Sequence, residues 1–524
     1  MTAGPPFRRV LIANRGEIAV RVIRACRDLG IETVAVYSDA DAGAAHVRMA
    51  DEAVRIGPAS PAESYLRIAA IVEAAAMSGA DAIHPGYGFL SERAAFARGV
   101  EAAGMVFVGP SPDVIDALGD KLNARRIARA NGVPCVPGTL EAAPVDRPDA
   151  VDDIVATAAE IGFPLLVKAA AGGGGRGMRR VETAAALPAA LAAGSHEALS
   201  AFGDGSVYLE RELLPARHIE VQLLGDSTGR VIALGERDCS LQRRHQKLVE
   251  EAPAPGLAPA ERSALHAMAI RVATAARLTN AATCEFLRSE DGAFYFLEVN
   301  TRLQVEHGVT ELVTGVDIVR EQLLLAAGRP LSGEAIAAAQ TAAEPNRHAI
   351  EVRIAAEDPG HDFAPTPGRI SHWQMPSGPG VRVDAAVGAG ERVPAEYDNL
   401  IAKVIAVAPD RDRAIDRLRR ALDEAEVGGI QTTLPFHRFV TRDASFRAGA
   451  LSTGWVEEHW RGAPAFKRAE RLARAAAGLA AISPEAGRSL PPAAQGSPGA
   501  PSDVARRSGW AQAGFEAGVD RRPR

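Results

Sequence analysis

Thr283-Cys284-Glu285-Phe286-Leu287-Arg288-Ser289-Glu290-Asp291-Gly292-Ala293-Phe294-Tyr295-Phe296-Leu297-Glu298-Val299-Asn300 holds two apolar runs on either side of Asp291-Gly292. An Asp-Gly pair in that setting predicts a β-hairpin with a two-residue turn. Glu290 then pairs with Ala293, and counting back along both strands sets Glu285 opposite Glu298. Asn300 shares the face of Glu298, because strand side chains alternate. Facing carboxylates repel. A divalent cation between them removes that cost, and ligands that are all oxygen suit Mg²⁺ or Mn²⁺. The alternative is the solvated outer face of an edge hairpin. The residues that follow, Thr301-Arg302-Leu303-Gln304-Val305-Glu306-His307, are expected to continue the strand and weigh against that alternative. They concentrate an arginine, an amide, a carboxylate and an imidazole. A second polar cluster runs from Glu236 to Lys247 and includes Gln242 and His245; taken alone it could be a solvated charge run.

Upstream, Arg9 to Ala13 reads as an apolar strand and Gly16 to Leu29 as a helix with Ile18, Val22, Ile23 and Cys26 on one side. Gly30 stops that helix, and Ile31 to Tyr37 is the next strand. The alternation continues through Ala80–His84 and Met105–Val108, which predicts a parallel, Rossmann-like unit. That unit lacks a G-x-G-x-x-G turn, which argues against a nicotinamide cofactor. A second region holds a helix over Asp120–Asn131, a strand over Pro164–Lys168, a glycine loop and a strand over Met178–Glu182. A third, after about Ala342, is rich in strand signals: Ala349–Ala355, Gly368–Trp373, Val381–Ala385 and Leu400–Val407, followed by a helix over Arg411–Glu424. Beyond Arg461 the chain turns Ala/Arg-rich and then Pro/Gly/Ser-rich, the composition of a frayed helix and a disordered tail.

Composition sets broad bounds. The chain has 524 residues, 47% hydrophobic and 24% charged, with a net charge of −6, which argues against a general nucleic-acid binder. Cys26, Cys135, Cys239 and Cys284 have no Cys-x-x-Cys spacing and read as reduced thiols. Neither a signal-peptide core nor a membrane-spanning run is evident, so a cytoplasmic enzyme is expected. Of 59 basic residues only five are lysine: Lys121, Lys168, Lys247, Lys403 and Lys467. A position that keeps lysine in such a chain can require a compact ammonium rather than a planar fork.

Lys168-Ala169-Ala170-Ala171-Gly172-Gly173-Gly174-Gly175-Arg176-Gly177-Met178 joins two strands. Glycines let backbone N–H groups approach a phosphate, and the neighbouring Lys168 can neutralise one. It is not a Walker A loop, and alone it could be a flexible hairpin tip. Lys121, in Gly-Asp-Lys, is a second candidate for the same nucleotide.

Taken in order, these segments resemble the biotin carboxylase family of the ATP-grasp superfamily, from about Arg8 to Trp455. The likeness rests on Ile12-Ala13-Asn14-Arg15-Gly16-Glu17-Ile18, on His84-Pro85-Gly86-Tyr87-Gly88-Phe89-Leu90-Ser91-Glu92, on Lys168–Met178, Glu236–Pro255 and Glu298–His307, and on Glu351-Val352-Arg353 and Tyr397-Asp398. It implies a mixed α/β and α+β fold. A Rossmann-like N-terminal domain would span 1–115 and an ATP-grasp domain 116–335, with a mobile lid over about 137–208. A β-rich C-terminal domain would span 336–460, ahead of the tail at 461–524.

The roles that follow are those the resemblance implies. Lys121, Lys168, Gly174, Gly175, Glu210, Leu213, His218, Gln242 and His245 match nucleotide-binding positions. Glu285, Glu298 and Asn300 match metal ligands, the first two also contacting ATP through Mg²⁺ or Mn²⁺. Lys247, Arg302, Gln304 and the backbone of Val305 match a bicarbonate site. Glu306 matches the general base, and Arg353 the arginine that stabilises the biotin enolate. Biotin would be a carrier-bound substrate. No Ala-Met-Lys-Met attachment motif occurs, so a biotin carboxyl carrier protein or domain is expected in trans, with a carboxyltransferase subunit. The expected whole is a homodimeric first half of an acyl-CoA carboxylase such as acetyl-CoA or propionyl-CoA carboxylase, acting on neither nucleic acid nor membrane.

Three positions depart from the family pattern: Gly308 for proline, Ala355 for asparagine and Ala282 for glycine. Gly308 is expected to loosen the segment carrying Glu306. Two rival readings stay open, an ammonia-using carbamoyl-phosphate-forming ligase and a catalytically silent scaffold.

Overall fold

The computed structural model describes residues 4–142, 148–170 and 178–462. Gly174, Gly175 and nearly all of the expected tail lie outside the described residues. Strands β1 (Arg9–Ile12), β2 (Glu32–Ser38), β3 (Glu52–Gly57), β4 (Ala82–His84) and β5 (Val106–Phe107) form a parallel sheet in the order β3-β2-β1-β4-β5, the predicted Rossmann-like arrangement. The helix after β1, α1 (Gly16–Asp28), buries Ile18, Val22, Ile23 and Cys26 as its periodicity predicts. It also buries Glu17 and Arg21, because its other side packs against Val381–Ala385 and Leu400–Ala408. Buried charges need partners. Arg21 lies 2.9 Å from Glu311 and 2.6 Å from Asp317, and Glu17 accepts from Tyr87.

Within the expected lid, β6 (Leu165–Ala169), β7 (Arg179–Val181) and β8 (Val207–Arg211) form a three-stranded antiparallel sheet, β7-β6-β8. Ile154, Ala158, Leu165, Val167, Leu191 and Leu209 give it a core of its own.

The largest sheet has eight strands and runs through both later regions. Strands β9 (Ala216–Gly225), β10 (Val231–Arg243), β11 (Gln246–Ala252), β12 (Asn280–Ser289) and β13 (Phe294–Asn300) lie in the order β13-β12-β9-β10-β11. β14 (His348–Ala355) then pairs antiparallel with β11, with Val249 opposite Val352, followed by Leu400–Ala408 and Val381–Ala385. The β-rich third region is thus bonded edge to edge to the second. The expected boundaries at 115/116 and 335/336 fall inside helices Pro112–Gly119 and Gly333–Thr341. The expected single strand Gly368–Trp373 is instead two short ones, Gly368–Arg369 and His372–Gln374, each pairing with a different partner. All four cysteines are free. Among the described residues no helix is long and apolar enough to cross a membrane.

Buried histidines couple this fold to pH. His437 Nε2 lies 2.7 Å from the Arg353 carbonyl, and burial pushes its pKa down to about 4. Unfolded, it would protonate near 6.5. A depressed folded pKa gives support that is complete above the unfolded value and is lost as pH falls towards the folded one. Buried acids with raised pKa act in the opposite sense, as with Glu250, which burial pushes up to about 7. The informative quantity is therefore a difference. The stability gap between wild type and His437→Asn should be widest above about pH 6.5 and shrink by roughly 1.4 kcal/mol per pH unit towards pH 4. Denaturant melts of both proteins check this, and a gap independent of pH would contradict it.

Candidate active site

The register of the large sheet sets a row of charges across four strands. Glu298 on β13 faces Glu285 on β12, which faces Glu220 on β9, which faces Arg237 on β10. Residues in one cross-strand row share a face of the sheet. The predicted opposition of Glu285 and Glu298 is observed, but through two offsets that cancel. The turn is wider than predicted: Ser289 N donates to Ala293 O at 2.9 Å, and Phe286 faces Phe296. A register shift between Glu285 and Phe286 then restores the pairing, leaving Leu297 as the extra residue.

Cations balance this row. Lys121 Nζ lies 2.6 Å from Glu298. Lys247 Nζ reaches Glu220 at 2.6 Å, Glu285 at 3.0 Å and Glu306 at 2.7 Å. His218 Nε2 sits 2.9 Å from Glu285 Oε2, and Arg237 donates to Glu220. Burial works to raise the Glu285 carboxyl, but Lys247 and His218 outweigh it and hold it well below the usual range. Lys247 reaches the row from β11, just after the turn Arg244-His245, where both residues have positive φ (49° and 65°). Positive φ suits both central residues of a two-residue hairpin turn but costs energy in non-glycine residues.

The donors Glu285, Glu298 and Asn300 are all oxygen and fit a hard divalent cation. Such an ion would compete with Lys121 and Lys247 for the same carboxylates. As arranged, Asn300 Nδ2 donates to Glu285 at 2.8 Å. Among the described His, Cys, Asp and Glu residues, the groups whose ligand atoms lie close enough to share an ion there are His218, Glu220 and Glu285, and Glu220, Cys239 and Glu306.

The segment after Asn300 does not continue the strand, contrary to expectation. β13 is an edge of the sheet, and the chain turns away into helix His307–Thr314, with Glu306 at its N-cap. Glu92, from the N-terminal region, fixes the turn: it accepts from Thr301 N at 3.1 Å and from Arg302 Nε at 2.8 Å. Arg302 also donates to Gln304 Oε1 at 2.9 Å and to Asn300 Oδ1 at 3.2 Å. Gln304 is 4% exposed, and among the described residues its Nε2 has no partner. Glu306 is wholly buried between Lys247 and Arg353, whose guanidinium lies 2.9 Å away. Burial raises its carboxyl, but Lys247, Arg353 and Arg237 together hold it well below the usual range. Arg353 also donates to Glu250 at 2.6 Å. At Gly308 the Ile405 side-chain tip and Glu351 Oε2 occupy the space a Cβ would take, the latter 3.2 Å from it.

A cleft of about 1030 Å³ runs along the row. It is lined by Lys121, Lys168, Glu210, Leu213, His218, Gln242, His245 and Lys247, and by Glu285, Glu298, Asn300, Arg302, Gln304, Val305 and Arg353. Lys121 opens a helix (Lys121–Ala130) capped by Asp120, which accepts from Asn123 N. Lys168, near the end of β6, pairs with the buried Glu210 of β8, as does Arg125. Glu306 lies beneath the cleft floor rather than on its lining.

Sequence reasoning missed Glu92, Arg125, Glu220, Arg237 and Glu250. For Glu220 a signal existed: His218, Glu220 and Gln222 alternate along one strand, which puts them on one face.

Comparisons with known proteins place the chain in a family. Residues 6–115 match the biotin carboxylase N-terminal domain, residues 120–334 the ATP-binding domain of the carbamoyl-phosphate synthase L chain, and residues 351–458 the biotin carboxylase C-terminal domain. The chain is 49% identical to a biotin carboxylase of Pseudomonas aeruginosa over 452 residues, covering 86% of this chain and 98% of that one. It is 48% identical to a pyruvate carboxylase subunit of Methanothermobacter thermautotrophicus over 462 residues, covering 88% and 92%. It is also similar to the biotin carboxylase domain dimer of the Hydrogenobacter thermophilus 2-oxoglutarate carboxylase, solved with MgADP, ADP and bicarbonate. That likeness has a TM-score of 0.81 at 46% identity and covers 86% of this chain and 98% of that one. With both flanking biotin carboxylase domains matched around a shared ATP-binding domain, the chain belongs to the biotin carboxylase family of ATP-grasp ligases.

Proposed function

We propose that this cleft carboxylates biotin on a carrier supplied in trans, using ATP and bicarbonate, as the first half-reaction of a biotin-dependent carboxylase. The observation that carries the reading is the buried, unpartnered Gln304 Nε2 beside Arg302, Lys247 and Glu306: donors and cations around a base, suited to a small oxyanion carrying a proton.

Glu306 takes the proton of bicarbonate held by Lys247, Arg302, Gln304 and the Val305 N–H. The freed oxygen attacks the γ-phosphorus of ATP, and ADP leaves. Lys121, Lys168 and the glycine loop offset the charge on the transferring group. Glu285, Glu298 and Asn300 would hold Mg²⁺ or Mn²⁺, which neutralises phosphate charge. Carboxyphosphate so formed splits into CO₂ and phosphate, and phosphate removes the ureido proton of biotin. The enolate, paired with Arg353, attacks CO₂. Glu210, Leu213, His218, Gln242 and His245 serve nucleotide binding, a role that Gly174 and Gly175 share on the strength of the family resemblance. The low basicity of Glu306 in the free protein comes chiefly from Lys247. An anion bound to Lys247 offsets that charge and raises Glu306 towards a working base. The protein acts in the cytoplasm as a homodimer, with a carboxyltransferase taking the carboxyl group to an acyl-CoA or related acceptor.

Initial-rate assays test the reading: ATP hydrolysis should require bicarbonate and rise with free biotin. Stimulation by ammonium instead of biotin would move the chain to carbamoyl-phosphate chemistry. The metal role has its own test. Glu285→Gln and Glu298→Gln should each weaken Mg-ATP binding by about tenfold or more, since even groups behind metal ligands carry that much affinity. Calorimetry giving wild-type affinity in both variants would remove them from the metal site.

A further inference from the structure

Three of the five lysines fall on the cleft, but a fourth, Lys403, has no place in the reaction as described. It lies on the strand Leu400–Ala408, opposite Arg353 on one neighbour and Asp384 on the other, and none of its surface is exposed. Its Nζ donates to the Val305 carbonyl at 2.8 Å and lies 3.3 Å from Glu17 Oε1 and 3.7 Å from Asp384 Oδ2. Lys403 and Arg353, cross-strand neighbours on one face, therefore grip consecutive residues: Arg353 the Glu306 side chain, Lys403 the carbonyl just before it.

We propose that Lys403 is a positioning residue for the bicarbonate site, fixing the backbone of Val305 and the direction in which Glu306 leaves it. The inference rests on the bicarbonate reading above. A peptide plane carries the C=O of one residue and the N–H of the next. The plane between Val305 and Glu306 is held by Lys403 through the Val305 carbonyl. The plane between Gln304 and Val305 is held by His307, whose Nδ1 lies 2.8 Å from the Gln304 carbonyl. Both planes beside Val305 are thus anchored, and with them the aim of its N–H. These anchors replace the strand pairing that the segment gave up when it left the sheet. The site calls for lysine because a compact ammonium offers three donors in directions a planar guanidinium cannot match. The tie also joins three distant parts of the chain: Glu17 and Tyr87, the Val305 turn, and the late strand.

The test uses the full chain and compares bicarbonate with ATP. Lys403→Met should raise the KM for bicarbonate roughly ten- to a hundredfold through misplacement of the Val305 backbone and of Glu306 after it, with ATP affinity within about twofold of wild type. That variant leaves Glu17 short of its cation, so lost stability could mimic the result. Glu17→Gln with Lys403→Met removes the orphaned charge and should restore thermal stability while bicarbonate KM stays high. Wild-type bicarbonate KM in either protein, recovery of KM along with stability in the double variant, or ATP affinity falling in step with bicarbonate would each overturn the proposal. Failure of both variants to fold would assign Lys403 to the fold alone and overturn it as well. Absence of bicarbonate-dependent turnover in the wild type would refute the site reading itself, and this inference with it.

Discussion

Glu306→Gln should lower bicarbonate-dependent ATP turnover by about 10²–10⁴-fold, the usual cost of removing a general base, while ATP affinity stays within about twofold. The amide keeps the shape of the side chain, so packing around a wholly buried residue is preserved. The fold should tolerate the change. Lys247 keeps Glu220 and Glu285 as partners, and Arg353 keeps Glu250. The proposed nucleotide contacts lie elsewhere in the cleft, on Lys121, Lys168 and the strands beside them. Steady-state kinetics beside calorimetric ATP titration of the same variant separates the outcomes. Undiminished turnover would remove Glu306 from the chemistry, and lost ATP binding would move it to the nucleotide or metal site.

What could be read from sequence followed the range of the signal. The hairpin was legible because turn chemistry and two-residue alternation act over fewer than 20 residues. Even so, the Glu285–Glu298 pairing came out right only because a wider turn and a bulge at Leu297 cancelled. Helix Arg411–Glu424 was read to the residue, since apolar periodicity and the Asp410 cap both mark it. The strand over Thr301–His307 was misread because composition alone does not reveal that β13 is the last strand of its sheet. The partners of the site residues were mostly out of reach. Glu92 meets Arg302 across 210 positions of sequence, and Lys403 meets Val305 across 98. No local pattern encodes such contacts. The continuity of the large sheet through β11 and β14 was hidden for the same reason.

Lys247→Met should lower bicarbonate-dependent turnover by about 10²–10³-fold, as expected for loss of a charge aimed at a reacting anion, yet leave Mg-ATP affinity undiminished or tighter. The two halves have opposite signs because Lys247 plays against both. It is one of the cations proposed to hold bicarbonate and the largest influence lowering the Glu306 carboxyl. It also lies 3.0 Å from Glu285 Oε1, where it competes with any metal for that oxygen. Removing it should not unfold the site, because each carboxylate it touches keeps a second cation. Glu220 keeps Arg237, Glu306 keeps Arg353, and Glu285 keeps His218. Methionine fills the volume of the lysine stem. The loss of a neighbouring positive charge raises the Glu306 pKa, so the acidic limb of the pH–rate profile should move to higher pH. Residual turnover as a function of pH, with Mg-ATP calorimetry alongside, measures both halves. A variant that kept wild-type kcat/KM for bicarbonate would place the anion elsewhere in the cleft. One that lost Mg-ATP affinity in proportion to turnover would make Lys247 a nucleotide ligand rather than a competitor of the metal.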